Sequence, residues 1–170
     1  IKVAKTGDTK LYELTRQLIE LRQSAVTSTI LEAGERIKGR RGRIGVIRLP
    51  SFYRDFEAER RGIPDFRSAA RDVRVALEGF NKDGKVDVVI IDLRTNGGGA
   101  LKDSVEVSGL FIDKGPVVRI REPGGTISPH EDTSPGTTWN GPLVVLTSRM
   151  SASASEIFAG VIKDYRRGLI

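Results

Sequence analysis

Two short runs of the sequence are apolar on both faces, and they constrain the fold more than any other feature. They are VDVVIIDLR at 86–94 and LVVLTSR at 143–149. Strands of this kind are typical of parallel sheets, because helices cover both faces of such sheets. Each run is followed by a loop of small residues and then by a helical pattern. This order predicts an α/β domain with a largely parallel sheet and layered helices.

The rest of the chain predicts further elements of the same domain. RIGVIRLP at 43–50 and GPVVRIRE at 115–122 indicate strands. In DFRSAARDVRVALEGF at 65–80 the apolar residues recur at helical spacing, which indicates a helix that Asp65 would cap. Stretches 51–64 and 123–142 carry turn residues and predict loops.

The part before residue 43 is less regular. Residues 24–40 favour one strand and a turn, and the Gly7–Asp8 pair between alternating runs predicts a hairpin over 1–22. The chain starts at Ile1 rather than at Met, so we expect a piece of a longer protein.

The net charge of +6 raises the question of a nucleic-acid partner. The densest basic stretch, ERIKGRRGR at 35–43, has no aromatic residue to stack on a base, and two glycines interrupt it. It therefore predicts a solvated turn, and we expect no nucleic-acid partner.

The absence of cysteine and the single histidine argue against a zinc site, and we expect no metal and no cofactor. No apolar run reaches the ~18 residues of a membrane span.

The loop before the last helix carries three alternating serines, Ser151, Ser153 and Ser155. Ser153 and Glu156 fit a capping box ahead of an apolar helical run, so a structural role as helix cap is one interpretation. The other is catalytic. A serine at a helix start lies near backbone N–H donors and the positive end of the helix dipole, which stabilise an alkoxide or an oxyanion. A hydroxyl that caps the helix is not free to attack, so only one role can be filled at a time.

Three consecutive glycines, Gly97 to Gly99, follow the first buried strand. They could form a tight turn with positive φ, or a loop whose amides a ligand can approach closely. They match neither the Walker pattern nor the dinucleotide fingerprint. Because reactive loops lie at the carboxyl ends of parallel strands, the glycines and serines would face one crevice if their strands are neighbours.

A base for a nucleophilic serine is harder to find. His130 lies in a stretch of turn residues without local support for a triad. Lys163 lies ten residues beyond Ser153 on the same helix, about 15 Å away, so it cannot reach the serine. Lys102 opens the helix after the glycines, where a surface position is the simpler interpretation. A neutral lysine is the known alternative to histidine as a base for serine.

Several segments together resemble the tail-specific, carboxy-terminal processing peptidases, a family of serine endopeptidases of the bacterial envelope with chloroplast relatives. They include GRIGVIRLPSFY, VVIIDLRTNGGGAL and GPLVVLTSRMSASASEIFAG, and the resemblance covers residues 43–170 in order. It implies an incomplete peptidase core of the crotonase/ClpP-like type, preceded by a linker and first core strand at 23–42. The hairpin at 1–22 would be the end of a PDZ domain.

The resemblance also implies roles for residues. Ser153 would be the nucleophile, and the amides around Gly97 and Gly98 would serve the oxyanion hole. Glu156 and Asp164 match acidic positions associated with activity, and we expect an indirect or structural role for Asp164. The family's base is a lysine in a Gly-Lys-Gly turn roughly two dozen residues after the serine, beyond Ile170. We therefore expect the chain as printed to be inactive.

The implied substrates are polypeptides with unstructured apolar carboxy-termini, in the bacterial periplasm or cell envelope. Any association with the membrane surface would involve other regions of the protein. Two alternatives stay open at this point. One is a crotonase-like enzyme that handles acyl groups with glycine amides but without an activated serine. The other is a binding fragment in which the serines only cap a helix.

Overall fold

The chain forms a four-stranded sheet with helices packed on it and a separate two-stranded hairpin. A computed structural model of the protein describes residues 25–37, 40–82 and 86–170, so the hairpin predicted over 1–22 lies outside the described residues. The strands are β1 (Thr27–Ile37), β2 (Arg40–Arg48), β3 (Val88–Asp92), β4 (Gly115–Arg121), β5 (Ile127–Asp132) and β6 (Leu143–Leu146). The helices are α1 (Phe56–Arg60), α2 (Ala69–Lys82), α3 (Leu101–Gly109) and α4 (Ala154–Asp164).

The main sheet has the order β1-β2-β3-β6. Strands β2, β3 and β6 run parallel, and β1 pairs antiparallel with β2 at one edge. The two segments that are apolar on both faces, β3 and β6, are direct neighbours. The expectation of a largely parallel α/β sheet is therefore confirmed. Because β3 and β6 run in the same direction, the loops that follow them lie at the same edge of the sheet.

The basic stretch at 35–43 joins β1 to β2. Pairing of Arg36 with Arg41 and of Ile37 with Arg40 continues the antiparallel ladder up to the turn. Most of the stretch predicted as a turn is therefore strand, and the two positions between β1 and β2 lie outside the described residues.

The core lies between the sheet and the apolar faces of the helices. Helix α2 buries Val73, Leu77 and Phe80 at helical spacing. Gly45 in β2 lets the Phe80 ring approach, since a Cβ built there would lie 2.5 Å from it. In α4, Phe158 contacts the rings of Phe52 and Phe111, with centroids 6.4 and 5.7 Å apart. Edge-on and tilted packing of this kind is the favoured arrangement of aromatic rings.

Several details of the sequence-based assignment are wrong. Asp65 does not cap α2: it has φ 56° and pairs with Arg71, and the helix starts four residues later. The cap contact comes from Ser68, whose Oγ accepts a hydrogen bond from Arg71 N–H at 3.1 Å. Ser68 directly precedes Ala69, the first residue of α2, and so occupies the capping position, whereas Asp65 lies three residues further back.

The two predicted loops both contain regular structure. Residues 51–64 include α1, whose start Asp55 caps by accepting from Ala58 N–H at 2.9 Å. Residues 123–142 include β5, which pairs with β4 outside the main sheet. The β4 strand alternates exposed and half-buried residues, so one of its faces stays in water.

Candidate active site

The three serines differ in what their hydroxyls do. The Ser151 Oγ donates to Leu93 O at 2.8 Å and accepts from Ser148 N–H at 2.9 Å. Ser155 is fully buried, and its Oγ donates to Asn96 O at 3.0 Å. Ser153 is exposed, and its side chain makes no cap hydrogen bond. Within the described residues, Ser153 is therefore the serine of this loop whose hydroxyl is not held by the fold.

The backbone of Ser153 is strained. Its φ of 55° and ψ of −116° lie where glycine is the ordinary occupant, close to the first central position of a type II′ turn. A residue with a side chain in such a conformation costs of order 1–3 kcal/mol and persists only where its surroundings hold it. At this serine the chain turns from the segment after β6 into α4. The strain presents the side chain at the start of the helix rather than along it.

Glu156 holds the Ser153 backbone. Its carboxylate accepts a hydrogen bond from Ser153 N–H at 2.6 Å. The two residues have the arrangement of a capping box, but the approach of the Ser153 side chain to the Glu156 amide falls short of a cap hydrogen bond. The Glu156 N–H instead donates to the Ser153 carbonyl at 2.9 Å. The box therefore fixes the serine backbone without occupying its hydroxyl.

The glycine loop lies directly against Ser153. A Cβ built on Gly98 would lie 2.8 Å from Ser153 Cβ and 3.3 Å from Ala154 N, so only glycine fits there. Gly98 also has φ 112°, and Gly99 has φ 143° with Phe52 O at 2.3 Å from its would-be Cβ. Two of the three glycines thus have conformational and steric reasons for being glycine. The expectation that the two loops face each other is confirmed.

Gly97 differs from its two neighbours. It has no positive φ, and a Cβ built on it would meet nothing within 4 Å. The contacts of the described residues thus give no steric reason for glycine at 97. A glycine that the fold does not need is consistent with an amide that a ligand must approach closely.

Most amides around Ser153 are already used. Gly98 N–H donates to Asn96 Oδ1 at 2.8 Å, and Ala152 N–H donates to Asn96 O at 3.2 Å. Ser153 N–H is held by Glu156. In the described parts of the chain, Gly97 N–H and Ala154 N–H have no hydrogen-bond partner. The Ala154 amide also belongs to the first turn of α4, where the helix leaves its N–H groups unpaired.

The basic side chains considered as bases lie elsewhere. Lys102 Nζ pairs with Glu59, and its side chain is more than half exposed. Lys163 is exposed near the far end of α4, and His130 is exposed on β5 opposite Val118. Within the described ranges, none of the three hydrogen-bonds Ser153. No cluster of three or more potential metal ligands occurs there either.

The geometry of a serine beside a glycine-amide loop agrees with the comparisons to known proteins. The profile of peptidase family S41 matches residues 43–170. The chain belongs to peptidase family S41. The S41 enzymes are serine-type peptidases, and both candidate loops lie within the matched region.

Relatives from bacteria and plants match nearly the whole chain. It is 38% identical to the tail-specific protease of Haemophilus influenzae over 170 residues, which are 100% of this chain and 22% of that protein. It is 31% identical to the chloroplastic carboxyl-terminal-processing peptidase 2 of Arabidopsis thaliana over 167 residues, which are 96% of this chain and 28% of that protein. The chain therefore spans about a quarter of the length of these relatives.

A solved structure has the same fold. The photosystem II D1 C-terminal processing protease superposes with a TM-score of 0.68 at 28% identity. The match covers 91% of this chain and 37% of that one. The resemblance to carboxy-terminal processing peptidases seen in the sequence is thus confirmed.

Asp164 lies at the opposite end of α4 from Ser153. It is exposed and ends the helix, about 16 Å along the axis from the serine. Together with Tyr165 and residues of β4, including Pro116 and Arg119, it lines a shallow surface cavity of about 380 Å³. The structure does not bring Asp164 to the serine.

Arg54 and three carboxylates form an ion cluster behind the glycine loop, and the sequence analysis does not predict it. The Arg54 side chain is 2% exposed and pairs with Glu59 at 2.7 Å, Asp103 at 3.0 Å and Glu106 at 3.0 Å. The Arg54 guanidinium, aided by Lys102, lowers the pKa of Glu59 to about 2. Burial raises the pKa of Asp103, although Ala70 N–H and Arg54 oppose that shift.

The cluster ties α1 and α3 to the segment that carries Phe52. Phe52 in turn bonds the glycine loop, donating to Gly98 O at 2.9 Å and accepting from Ala100 N–H. The partners of Arg54 are up to 52 residues away in sequence, so no local pattern indicates them.

Of the helices in the described ranges, none has both the length and the apolar character of a transmembrane span.

Proposed function

We propose that this chain supplies the nucleophile and the oxyanion donors of a serine endopeptidase that processes carboxy-terminal tails. The observation that carries the proposal is the state of Ser153. Its hydroxyl is exposed and unheld, on a strained turn at a helix start, against a glycine loop. Ser151 and Ser155, by contrast, are both tied to backbone carbonyls.

The reaction is acyl transfer. Ser153 Oγ attacks the carbonyl carbon of a peptide bond, its proton passes to a general base, and the tetrahedral intermediate expels the amine, which takes up that proton. Water then hydrolyses the acyl-enzyme ester and regenerates the serine. The structure supports this role through two charge-stabilising features, the start of α4 and unpaired backbone amides beside the serine.

The oxyanion donors that we propose are Gly97 N–H and Ala154 N–H. The sequence suggested the amides of Gly97 and Gly98, but Gly98 N–H already donates to Asn96. A donor engaged at 2.8 Å by a buried side chain is not available to a developing oxyanion. Gly98 then serves the site by close packing, since nothing larger than hydrogen fits between it and Ser153.

The general base in this proposal is a lysine outside the printed 170 residues, in the Gly-Lys-Gly turn that the family resemblance implies. Lys102 is committed to Glu59, while Lys163 and His130 lie on other surfaces. A base must come within hydrogen-bond reach of the serine, and a lysine must lose its proton through burial. The exposed, ion-paired Lys102 meets neither condition.

The substrates that we propose are polypeptides with unstructured apolar carboxy-termini. A PDZ domain, of which residues 1–22 would be the last hairpin, would hold such a tail by strand addition and carboxylate capture. The remaining core would be of the crotonase/ClpP-like type. The location that we propose, on the family resemblance alone, is the bacterial periplasm or cell envelope, and membrane contact would involve other regions of the protein. Glu156 holds the nucleophile backbone, and Asp164 has a structural role at the helix end.

A fluorophosphonate probe tests the nucleophile in the full-length protein. We expect covalent labelling that is lost in Ser153→Ala, together with cleavage of an unfolded, apolar-tailed polypeptide that is lost in the same variant. Ser151→Ala is the matched control, and it should still be labelled. Absence of labelling in the parent protein would favour a crotonase-like acyl-handling enzyme. Cleavage that persists in Ser153→Ala would contradict the assignment.

A further inference from the structure

Asn96 connects the parts of the site. It is fully buried in the loop between β3 and α3. Its Nδ2 donates to Leu49 O at 2.9 Å, and its Oδ1 accepts from Gly98 N–H at 2.8 Å. Its backbone carbonyl accepts from Ala152 N–H at 3.2 Å and from Ser155 Oγ at 3.0 Å.

These contacts join three segments that are remote in sequence. Leu49 lies just after β2, Gly98 lies in the glycine loop, and the last two partners flank Ser153. The carboxamide thus uses a donor and an acceptor on different segments at the same time. Asn96 N–H donates to Leu93 O at 2.9 Å, so the residue's own backbone is also held.

Asn96 sets the distance between the glycine loop and the nucleophile. Its side-chain oxygen holds Gly98, and its backbone oxygen holds Ala152, directly before Ser153, and Ser155, two residues after it. The bond to Gly98 also withdraws that N–H from the reaction. The amide of the preceding residue, Gly97, is left unpaired within the described residues. Asn96 is buried and makes no contact with the Ser153 hydroxyl, so any effect on the reaction is indirect.

We propose that Asn96 is a positioning residue for acyl transfer at Ser153. It keeps the Gly97 and Ala154 amides at the fixed separation from the serine that oxyanion stabilisation requires. This inference rests on the proposed function. Its physical basis is that oxyanion donors act only when they are held in place before the reaction, and a 1 Å misplacement costs about 10²-fold in rate.

Neither ionised aspartate nor leucine, two replacements of similar size, can make both side-chain contacts of Asn96. An ionised aspartate offers acceptors only, so it keeps the Gly98 bond and turns an oxygen toward the Leu49 carbonyl. Leucine has a similar size and offers neither contact. In both variants the loop must shift to satisfy the buried Gly98 amide or the Leu49 carbonyl, because unpaired buried polar groups are costly.

The test measures kcat, KM and thermal stability of the full-length protein with Asn96→Asp on a peptide substrate. We expect kcat to fall about 10²-fold, as for loss of an oxyanion donor, with KM within threefold of the parent. The rate of fluorophosphonate labelling should fall in parallel. Val73→Ala, a core truncation in α2, is the control for stability, and it should lower Tm while leaving kcat unchanged.

Three outcomes overturn the inference. The first is a kcat for Asn96→Asp within threefold of the parent at a temperature where the variant is folded. The second is an equal loss of kcat in Val73→Ala. The third applies if Asn96→Asp does not fold. The fallback variant is then Ser155→Ala, which removes one hydrogen bond to the Asn96 carbonyl. A kcat for Ser155→Ala equal to that of the parent protein would overturn the inference. Failure of the proposed function is distinguishable, since the parent protein would then lack Ser153-dependent labelling and cleavage.

Discussion

Replacing Ser153 by glycine should stabilise the protein, and replacing it by alanine should leave stability nearly unchanged. At φ 55° and ψ −116° a residue with a Cβ is strained by about 1–3 kcal/mol, and glycine is not. Glycine loses about 0.5–1 kcal/mol through the greater freedom of the unfolded chain. The expected net gain in the free energy of unfolding for Ser153→Gly is therefore about 0–2.5 kcal/mol.

Ser153→Ala is the matched comparison because it removes the hydroxyl and keeps the strain. The hydroxyl is exposed and makes no cap hydrogen bond, so we expect a change within about 0.5 kcal/mol, as for ordinary surface positions. If Ser153 were a functional helix cap, alanine would instead destabilise by about 1 kcal/mol and glycine by a few tenths.

Urea unfolding of the parent and both variants measures these differences. Both variants should lack fluorophosphonate labelling. A destabilised Ser153→Gly together with a loss of about 1 kcal/mol in Ser153→Ala would refute the strain argument and favour the capping role. The glycine variant tests the strain, and the alanine variant tests the capping role, because alanine removes the hydroxyl without relieving the backbone.

Three further predictions concern the surroundings of Ser153. Gly97→Ala should act mainly on kcat and have the smaller effect on Tm. Gly98→Ala should lower both kcat and Tm, since its Cβ would lie 2.8 Å from Ser153 Cβ. Kinetics and thermal melts of the two variants measure these effects. Arg54→Met should destabilise by about 3–5 kcal/mol at pH 7, because it leaves the buried Asp103 carboxylate unpaired. This loss of stability, measured by urea unfolding, should shrink toward pH 4. There Asp103, with its raised pKa, gains a proton, so the variant no longer buries an unpaired charge. The parent at the same time begins to lose the stability that ionised Glu59, with its lowered pKa, contributes. The chain as printed should not cleave peptides, because a serine without its base loses orders of magnitude in rate. A version extended by about forty natural residues should cleave them. Equal peptidase activity in both versions would indicate Lys102 as the base.

The parallel sheet could be predicted because its signal is local. Strands β3 and β6 are apolar on both faces, and each is followed directly by a loop and a helix, so neighbouring positions and facing loops follow from general rules of α/β folds. The cap of α2 could not be chosen in the same way. Asp65 and Ser68 are both good capping residues, and the choice depends on the residue at which the helix starts, Ala69.

The site was predictable in its place but not in its detail. The sequence indicates a serine loop and a glycine loop, but it does not indicate that Asn96 Oδ1 takes the Gly98 amide or that the Asn96 carbonyl binds Ser155, 59 residues away. Asn96 could be seen only as part of a turn, because its partner Leu49 lies 47 residues away. Arg54 gave no signal at all, since its partners are brought together by the docking of α1 and α3.

These contacts explain how a strained serine can keep a free hydroxyl. The conformation of Ser153 is held by bonds that its neighbours make: Glu156 binds its N–H, and the Asn96 carbonyl binds Ala152 and Ser155. None of these bonds uses the serine side chain. The hydroxyl can therefore be removed without releasing the loop, and in the proposed mechanism the nucleophile and oxyanion donors are placed independently of the base. In that mechanism a lysine base needs only to bring a neutral amine within hydrogen-bond reach of Oγ, because the proposed donors and the serine are held by the fold.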